Sequence, residues 1–423
     1  MTATYQVSRL PSGLTLATAA MPDMASVSLG LWVAVGGRYE TAQACGASHF
    51  IEHMLFKGTR RRTSLEISEA VEGIGGYLNA FTTEENTCVF SKALHDRLPE
   101  LLDVLADMLL HSTFEPQEVD KERQVIKEEI AMYLDQPAQH VQELLNELMW
   151  PDHPLGRPLT GTTRTLKGLA RPQLLDFLHD NYTAPNILVC AAGQVTHPQM
   201  LRAFRPYASR FRSGEKLKCE RASETQAAPA VRLFTKETAQ TQIALGLRVC
   251  SRHDPRRYPL RLLNALLGEN MSSRLFQVVR EEHGLAYSIQ SSTSLLEDVG
   301  ALVISAGLEA GNISQVLTLV MRELKRLVDH APTAAELRRT RDYLIGQLEL
   351  GLEGTENQMT WVGEQLLGYG HVVPPGEIKR RLTRVTSAQI HAVARDFFRP
   401  ALMNLAVVSP LKNAERLARL LRM

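Results

Sequence analysis

Hydrophobic and polar positions along the chain alternate between strand-like runs and helical periods from the first residues. Residues 5–9 and the Leu-, Val- and Trp-rich run 26–35 read as strands. Between Gly46 and Gly58, apolar residues fill the gaps around His49, Glu52 and His53. That spacing predicts one short helix, with Ser48 as its N-cap and Lys57-Gly58 as its stop. Thr63-Ser-Leu-Glu66 reads as a capping box opening a second helix, which Gly73-Ile-Gly75-Gly76 ends. Two strands follow, 77–83 and 87–91, around the polar turn Glu84-Glu85-Asn86. Asp96 is expected to cap a helix whose apolar set is Leu98, Leu101, Leu102, Leu105, Met108 and Leu109. A long helix then starts near Pro116 and runs to about Leu134. Pro137 interrupts it, and a further helical piece continues to Trp150. After a Pro- and Gly-rich loop at 151–161, a helix and the strand 186–193 close the first half.

Residues 213–229 are polar and without period, the composition of a linker. Beyond them the pattern repeats. Ser28-Leu-Gly-Leu-Trp-Val33 is echoed by Ala244-Leu-Gly-Leu-Arg-Val249, the helix segment at Glu118 by that at Glu336, and Asp176-Phe177 by Asp396-Phe397. The offsets are 216, 218 and 220 residues (244 − 28, 336 − 118, 396 − 176), too constant for unrelated domains. The fold expected is α+β: two similar α/β-roll domains, each a mainly antiparallel mixed sheet packed with helices. The first would span 1–212 and the second 230–423, joined by the linker 213–229.

Length and charge narrow the function classes. At 423 residues the chain has room for two or three cores. Its 47 basic and 46 acidic residues leave a net charge of +1, without the clustered basic surface a nucleic-acid binder needs. The basic run 57–62 has no aromatic interleaving and reads as a solvated loop. No apolar run approaches the ~20 residues that span a bilayer, and the first residues lack the regions of a secretion signal. Cys45, Cys88, Cys190, Cys219 and Cys250 are scattered without a C-x-x-C and read as core fillers. A cytoplasmic protein is the expectation.

The chemistry concentrates in His49-Phe-Ile-Glu52-His53, an H-x-x-E-H pattern, the inverzincin signature. At 3.6 residues per turn, His49 and His53 stack on one helix face with Glu52 beside them. Two imidazoles so placed can hold a zinc ion, and the carboxylate can take a proton from the attacking water. A third ligand is still needed. The long helix offers Glu118, Glu122, Glu128 and Glu129, of which Glu122 and Glu129 lie two turns apart on one face. One could ligate while the other steadies a ligand histidine; the bland alternative is a solvated surface helix. The second copy favours the first reading. At the 218-residue offset Glu122 becomes Thr340 and Glu129 becomes Gln347, and if Arg261-Leu-Leu-Asn-Ala265 is the counterpart of His49-Phe-Ile-Glu-His53, no histidine ligand survives in the second copy either.

With Glu129 lying 76 residues after His53 (129 − 53), His49 to Thr59 resembles the pitrilysin family of zinc metallopeptidases, which includes insulin-degrading enzyme and the mitochondrial processing peptidase. Gly75-Gly-Tyr-Leu-Asn-Ala80 and the stretch Leu267 to Phe276 carry the same resemblance, which covers essentially the whole chain. It implies one zinc per chain on His49, His53 and Glu129, with Glu52 as general base and Glu122 as hydrogen-bond partner of a ligand histidine. It implies that a peptide substrate adds as a strand along Asn79, Ala80, Phe81 and Thr82, and that Arg280 and Tyr287 assist catalysis. The length resembles the branch in which two chains form a clamshell. Because this chain carries both the ligand set and the Arg/Tyr pair, a homodimer with composite active sites is expected. A catalytic subunit of a heterodimer, or a non-catalytic structural subunit, are the alternatives.

Overall fold

A computed structural model describes residues 3–223 and 226–422. Among the described residues, eleven strands form two sheets. The first contains β1 (Thr4–Arg9), β2 (Thr15–Ala20), β3 (Ser26–Val33), β4 (Tyr77–Thr82), β5 (Thr87–Leu94) and β6 (Ile187–Gly193), in the order β1-β2-β6-β3-β5-β4. The second contains β7 (Ala230–Thr235), β8 (Thr241–Val249), β9 (Ala286–Leu295), β10 (Gly300–Leu308) and β11 (Met403–Ser409), in the order β7-β11-β8-β10-β9. Removing β1 makes the orders identical, with β3 and β8 in the same central place. The directions match too: β2 is parallel to β6 and β7 to β11, and every other pairing is antiparallel. Duplication of one α+β unit therefore shows in topology as well as in sequence.

The chain folds into two compact units whose segments interleave along the sequence. The first takes residues 3–130, Arg157–Glu220 and Leu350–Val372. The second takes Ala131–Gly156, the described residues of Arg221–Glu349, and those of Val373–Met423. The segment 213–229 carries no helix or strand among its described residues, and 224 and 225 lie outside them.

In the first unit, one face of the sheet is covered by α1 (Ala47–Leu55), α2 (Ser64–Glu72) and α3 (Leu98–His111), with Phe50, Ile51, Met54, Leu101 and Leu105 in its core. The helix Thr355–Tyr369 covers the other face, where Met359 and Val362 meet Trp32. Packing there is so close that a Cβ on Gly363 would stand 2.4 Å from Trp32 Cε2, so only glycine fits. Such two-sided burial explains β2, which the hydrophobic pattern did not predict. Its Thr-Leu-Ala-Thr-Ala-Ala has weak strand propensity, but Leu16 enters one core and Ala17 and Ala19 the other.

After α4 (Pro116–Asp135) comes α5 (Pro137–Met149), which packs within the second unit. Its Val141, Leu145 and Met149 cover Ala244, Ala406 and Val408. Among the described residues no helix is long and apolar enough to cross a membrane.

Two predicted caps are corrected. Asp96 does not cap α3; it sits in the 3-10 turn His95–Arg97, and Arg97 at the N-cap position makes no side-chain cap bond. Ser48 lies inside α1, one residue past its start. The Thr63 capping box of α2 forms as read, with Glu66 N–H donating to Thr63 Oγ1 and Thr63 N–H to Glu66 Oε2.

Candidate metal centre

The motif helix α1 begins on Gly46, whose φ of +94° is left-handed. A Cβ there would also meet Gly161 Cα at 2.8 Å, so glycine is required twice over. The buried Glu40 does the capping: Oε2 accepts from Gly46 N–H and Oε1 from Ser48 N–H, each at 2.7 Å. A carboxylate at a helix N-terminus is favoured by the exposed N–H groups and the helix dipole. From this start Phe50, Ile51, Met54 and Leu55 go into the core. His49, Glu52 and His53 are left together on the half-exposed face.

Helix α4 crosses this face. His49 Nε2 and His53 Nε2 stand 3.2 Å apart, and Glu129 Oε2 lies 3.7 Å from each. Donors about 2.1 Å from a tetrahedral zinc stand about 3.4 Å apart, so the three atoms fit the corners of one coordination sphere to within a few tenths of an ångström. Among the described residues, no other group of three His, Cys, Asp or Glu side chains brings its ligand atoms within 4.8 Å of one another.

Glu122, two turns before Glu129, reaches the far side of the same histidine. Its Oε1 lies 2.8 Å from His53 Nδ1, and its Oε2 lies 2.7 Å from Lys57 Nζ. An Nδ1–H held by a carboxylate fixes the tautomer that leaves Nε2 as the open donor. Burial opposes charge on Glu122, but the bonds from His53 and Lys57 outweigh it and hold the carboxyl below its usual range. Burial, reinforced by His53, lowers His49 to about 4, which keeps the ring neutral and able to ligate near neutral pH. Its Nδ1 is buried without a hydrogen-bond partner among the described residues.

Glu52 projects from α1 toward β4, where Thr82 Oγ1 donates to its Oε2 at 2.6 Å. Burial raises the Glu52 carboxyl, and the Thr82 bond and His53 offset part of the rise. A carboxylate lifted in this way is a better proton acceptor near neutral pH.

β4 is the terminal strand of its sheet. Ala80 and Leu78 pack toward the helical layer, whereas Phe81 turns to the opposite face and meets Trp32 at 5.4 Å between ring centroids. Asn79 Oδ1 accepts from Ala80 N–H at 2.8 Å. Arg280 and Tyr287 belong to the second unit. The Arg280 guanidinium lies 4.8 Å over the Phe276 ring, and Tyr287 is 74% exposed. Arg274 is tied to Glu336 at 2.9 Å.

Sequence reasoning did not single out Glu40 or the Thr82–Glu52 bond, and it read Lys57 only as part of a helix stop and a solvated loop, whereas Lys57 is paired with the buried Glu122. Lys57 had a signal, since 49, 53 and 57 recur every four residues and so share a face. Glu40 had none, because a cap reaching back from outside the helix has no fixed spacing.

A family model described as Insulinase (Peptidase family M16) matches residues 15–163, and one described as Peptidase M16 inactive domain matches residues 168–344. The chain is 38% identical to an uncharacterized zinc protease of Streptomyces coelicolor, over 97% of this chain and 91% of that one. It is 37% identical to the uncharacterized zinc protease YmxG of Bacillus subtilis, over 93% and 95%. In fold it resembles the crystal structure of a protease from Helicobacter pylori, with a TM-score of 0.90 at 20% identity, covering 97% of this chain and 100% of that one.

Proposed function

The chain belongs to peptidase family M16, the insulinase family, and from that footing we propose that it is a zinc-dependent endopeptidase acting on extended or unfolded peptide segments. The observation that carries the reading is the convergence of His49 Nε2, His53 Nε2 and Glu129 Oε2 beside the Glu52 carboxylate. His49, His53 and Glu129 would hold one zinc ion per chain, with Glu122 and Lys57 holding His53 in place. When bound, zinc supplies a Lewis acid that polarises the scissile carbonyl and stabilises the charge developing on its oxygen. Glu52 takes the proton of the attacking water and returns it to the leaving amine.

The substrate lies extended along β4. A terminal strand offers its outer edge to a peptide, so along Asn79, Ala80, Phe81 and Thr82 the binding falls mainly to the outward-facing main chain of Ala80 and Thr82. The Phe81 ring is occupied with Trp32 and its main chain pairs with Cys88, so it backs the strand from within the sheet. Processing of presequence-like segments accords with such sequence-tolerant binding. None of the five cysteines forms a disulfide, which accords with a reducing compartment such as the cytoplasm.

In a homodimer, Arg280 and Tyr287 of one chain would serve the zinc site of the other, the guanidinium holding a substrate carbonyl and the phenol donating to the oxyanion. The exposure of Tyr287 supports this, since its hydroxyl is not committed to its own core.

Cleavage of a mixed peptide library, with and without chelator, tests the activity. Glu52→Gln should keep zinc and lose turnover; turnover surviving in that variant would remove Glu52 from its role. Mixing Glu52→Gln with Arg280→Ala chains should restore part of the activity, and no recovery in proven mixed dimers would refute composite sites.

A further inference from the structure

Thr82 faces two ways. Thr83 N–H donates to Asn86 O at 2.8 Å and closes the β4–β5 hairpin. Counting back from that bonded pair, Phe81 opposite Cys88 and Asn79 opposite Phe90 exchange ladder bonds. Leu78, Ala80 and Thr82 then turn their main-chain N–H and C=O to the outer edge. The Ala80 N–H accordingly goes to Asn79 Oδ1. The Thr82 side chain points the other way, onto α1.

That side chain has one proton and two oxygens near it. Glu52 Oε2 is at 2.6 Å and Thr87 Oγ1 at 3.3 Å. Thr87 donates its own hydroxyl to Val35 O at 3.0 Å. The shorter, charge-assisted bond to the carboxylate takes the Thr82 proton. Among the described residues it is the one hydrogen bond that the Glu52 carboxylate receives.

The turn behind Thr82 is held firmly enough to act as a mount. Gly37 N–H donates to Thr83 O at 3.1 Å and Arg38 N–H to Glu84 O at 2.8 Å. The buried Arg38 guanidinium pairs with Glu85 at 2.8 Å.

Resting on the peptidase reading above, we propose that Thr82 is the positioning residue for Glu52. Its hydroxyl fixes one carboxylate oxygen and leaves the other aimed at the attacking water. Because its main chain lies on the edge where the substrate adds, one residue sets both the seat of the peptide and the aim of the base.

Thr82→Val removes the hydroxyl at constant shape, and Thr82→Ser keeps it. With a quenched fluorescent peptide, Thr82→Val should lower kcat by about 10- to 100-fold, a fraction of what a general base contributes. KM should stay within about two-fold and zinc per chain should be unchanged, while Thr82→Ser recovers most of kcat. Unchanged kcat in Thr82→Val would overturn the proposal. So would a rise in KM alone, which assigns Thr82 to the substrate edge, or an equal loss in Thr82→Ser, which assigns the effect to the methyl. Crystals of zinc-loaded Thr82→Val and wild-type protein supply a readout independent of turnover. The proposal predicts a Glu52 carboxylate that has left its wild-type position; an unmoved carboxylate overturns it. Wild-type protein that cleaves no peptide would sink the peptidase reading, and the crystal comparison would still decide the role of Thr82.

Discussion

Removing the Glu122 carboxylate separates the two tasks of the α4 glutamates. Glu122 is 4% exposed and makes two charge-assisted contacts, to His53 Nδ1 at 2.8 Å and Lys57 Nζ at 2.7 Å. It does not face the open histidine nitrogens, as Glu129 does. Its loss should therefore weaken zinc binding without deleting a ligand. Outer partners of metal-binding histidines contribute about 10- to 100-fold in affinity, which is about 1.4–2.8 kcal/mol. Glu122→Ala also removes two hydrogen bonds to charged groups, each worth about 1.5–3 kcal/mol. Lys57, whose side chain is 29% exposed, can regain water, so the net loss of stability should fall near the lower figure. Glu122→Gln keeps an oxygen for His53 but turns an amide N–H toward the Lys57 ammonium, and should fall between wild type and Glu122→Ala. The assay is competition for zinc against a chelating dye at pH 7.5, with thermal unfolding of the metal-free proteins beside it. Glu129→Gln, which removes a ligand, should cost more than either. A zinc affinity of Glu122→Ala within two-fold of wild type would refute the reasoning.

Acid should destabilise the metal-free protein. His49 is lowered to about 4, chiefly by burial, against about 6.5 in the unfolded chain, so the unfolded state binds more protons in that interval. Its contribution is full above the unfolded value and is lost as pH falls through the folded one; His49→Gln should flatten the pH dependence of unfolding there. An unchanged slope in that variant would be the contrary result. Away from the site, Gly363→Ala places a Cβ 2.4 Å from Trp32 Cε2 and should lower stability by about 1–3 kcal/mol in chemical denaturation. Zinc per folded chain should not change, and a stability equal to wild type would show that the helix can shift without cost.

The site was more legible in the sequence than the way the chain is laid out in space. His49, Glu52 and His53 follow from helical periodicity alone, and Glu122 and Glu129 from a two-turn spacing that the second copy lacks. Those residues are constrained by local geometry, which sequence spacing records directly. The matching sheet orders were legible for the same reason, as a repeat at nearly constant offset. What escaped depends on contacts far apart in the chain. Nothing in 355–369 reads as the helix that covers Trp32, and nothing in α5 as a helix grouped with β8 and β11. The Glu40 cap escaped because its carboxylate bonds backbone N–H groups six and eight residues on, across a turn with no periodic signature. Thr82 was read as a substrate contact, but the direction of its hydroxyl depends on the strand register, which one strand alone does not set.

Anomalous diffraction at the zinc edge from crystals grown with stoichiometric zinc tests the central claim most directly. The account predicts one strong peak per chain, within about 2.0–2.2 Å of His49 Nε2, His53 Nε2 and a Glu129 carboxylate oxygen. A peak held by other residues, or none while those three side chains keep their arrangement, would contradict it.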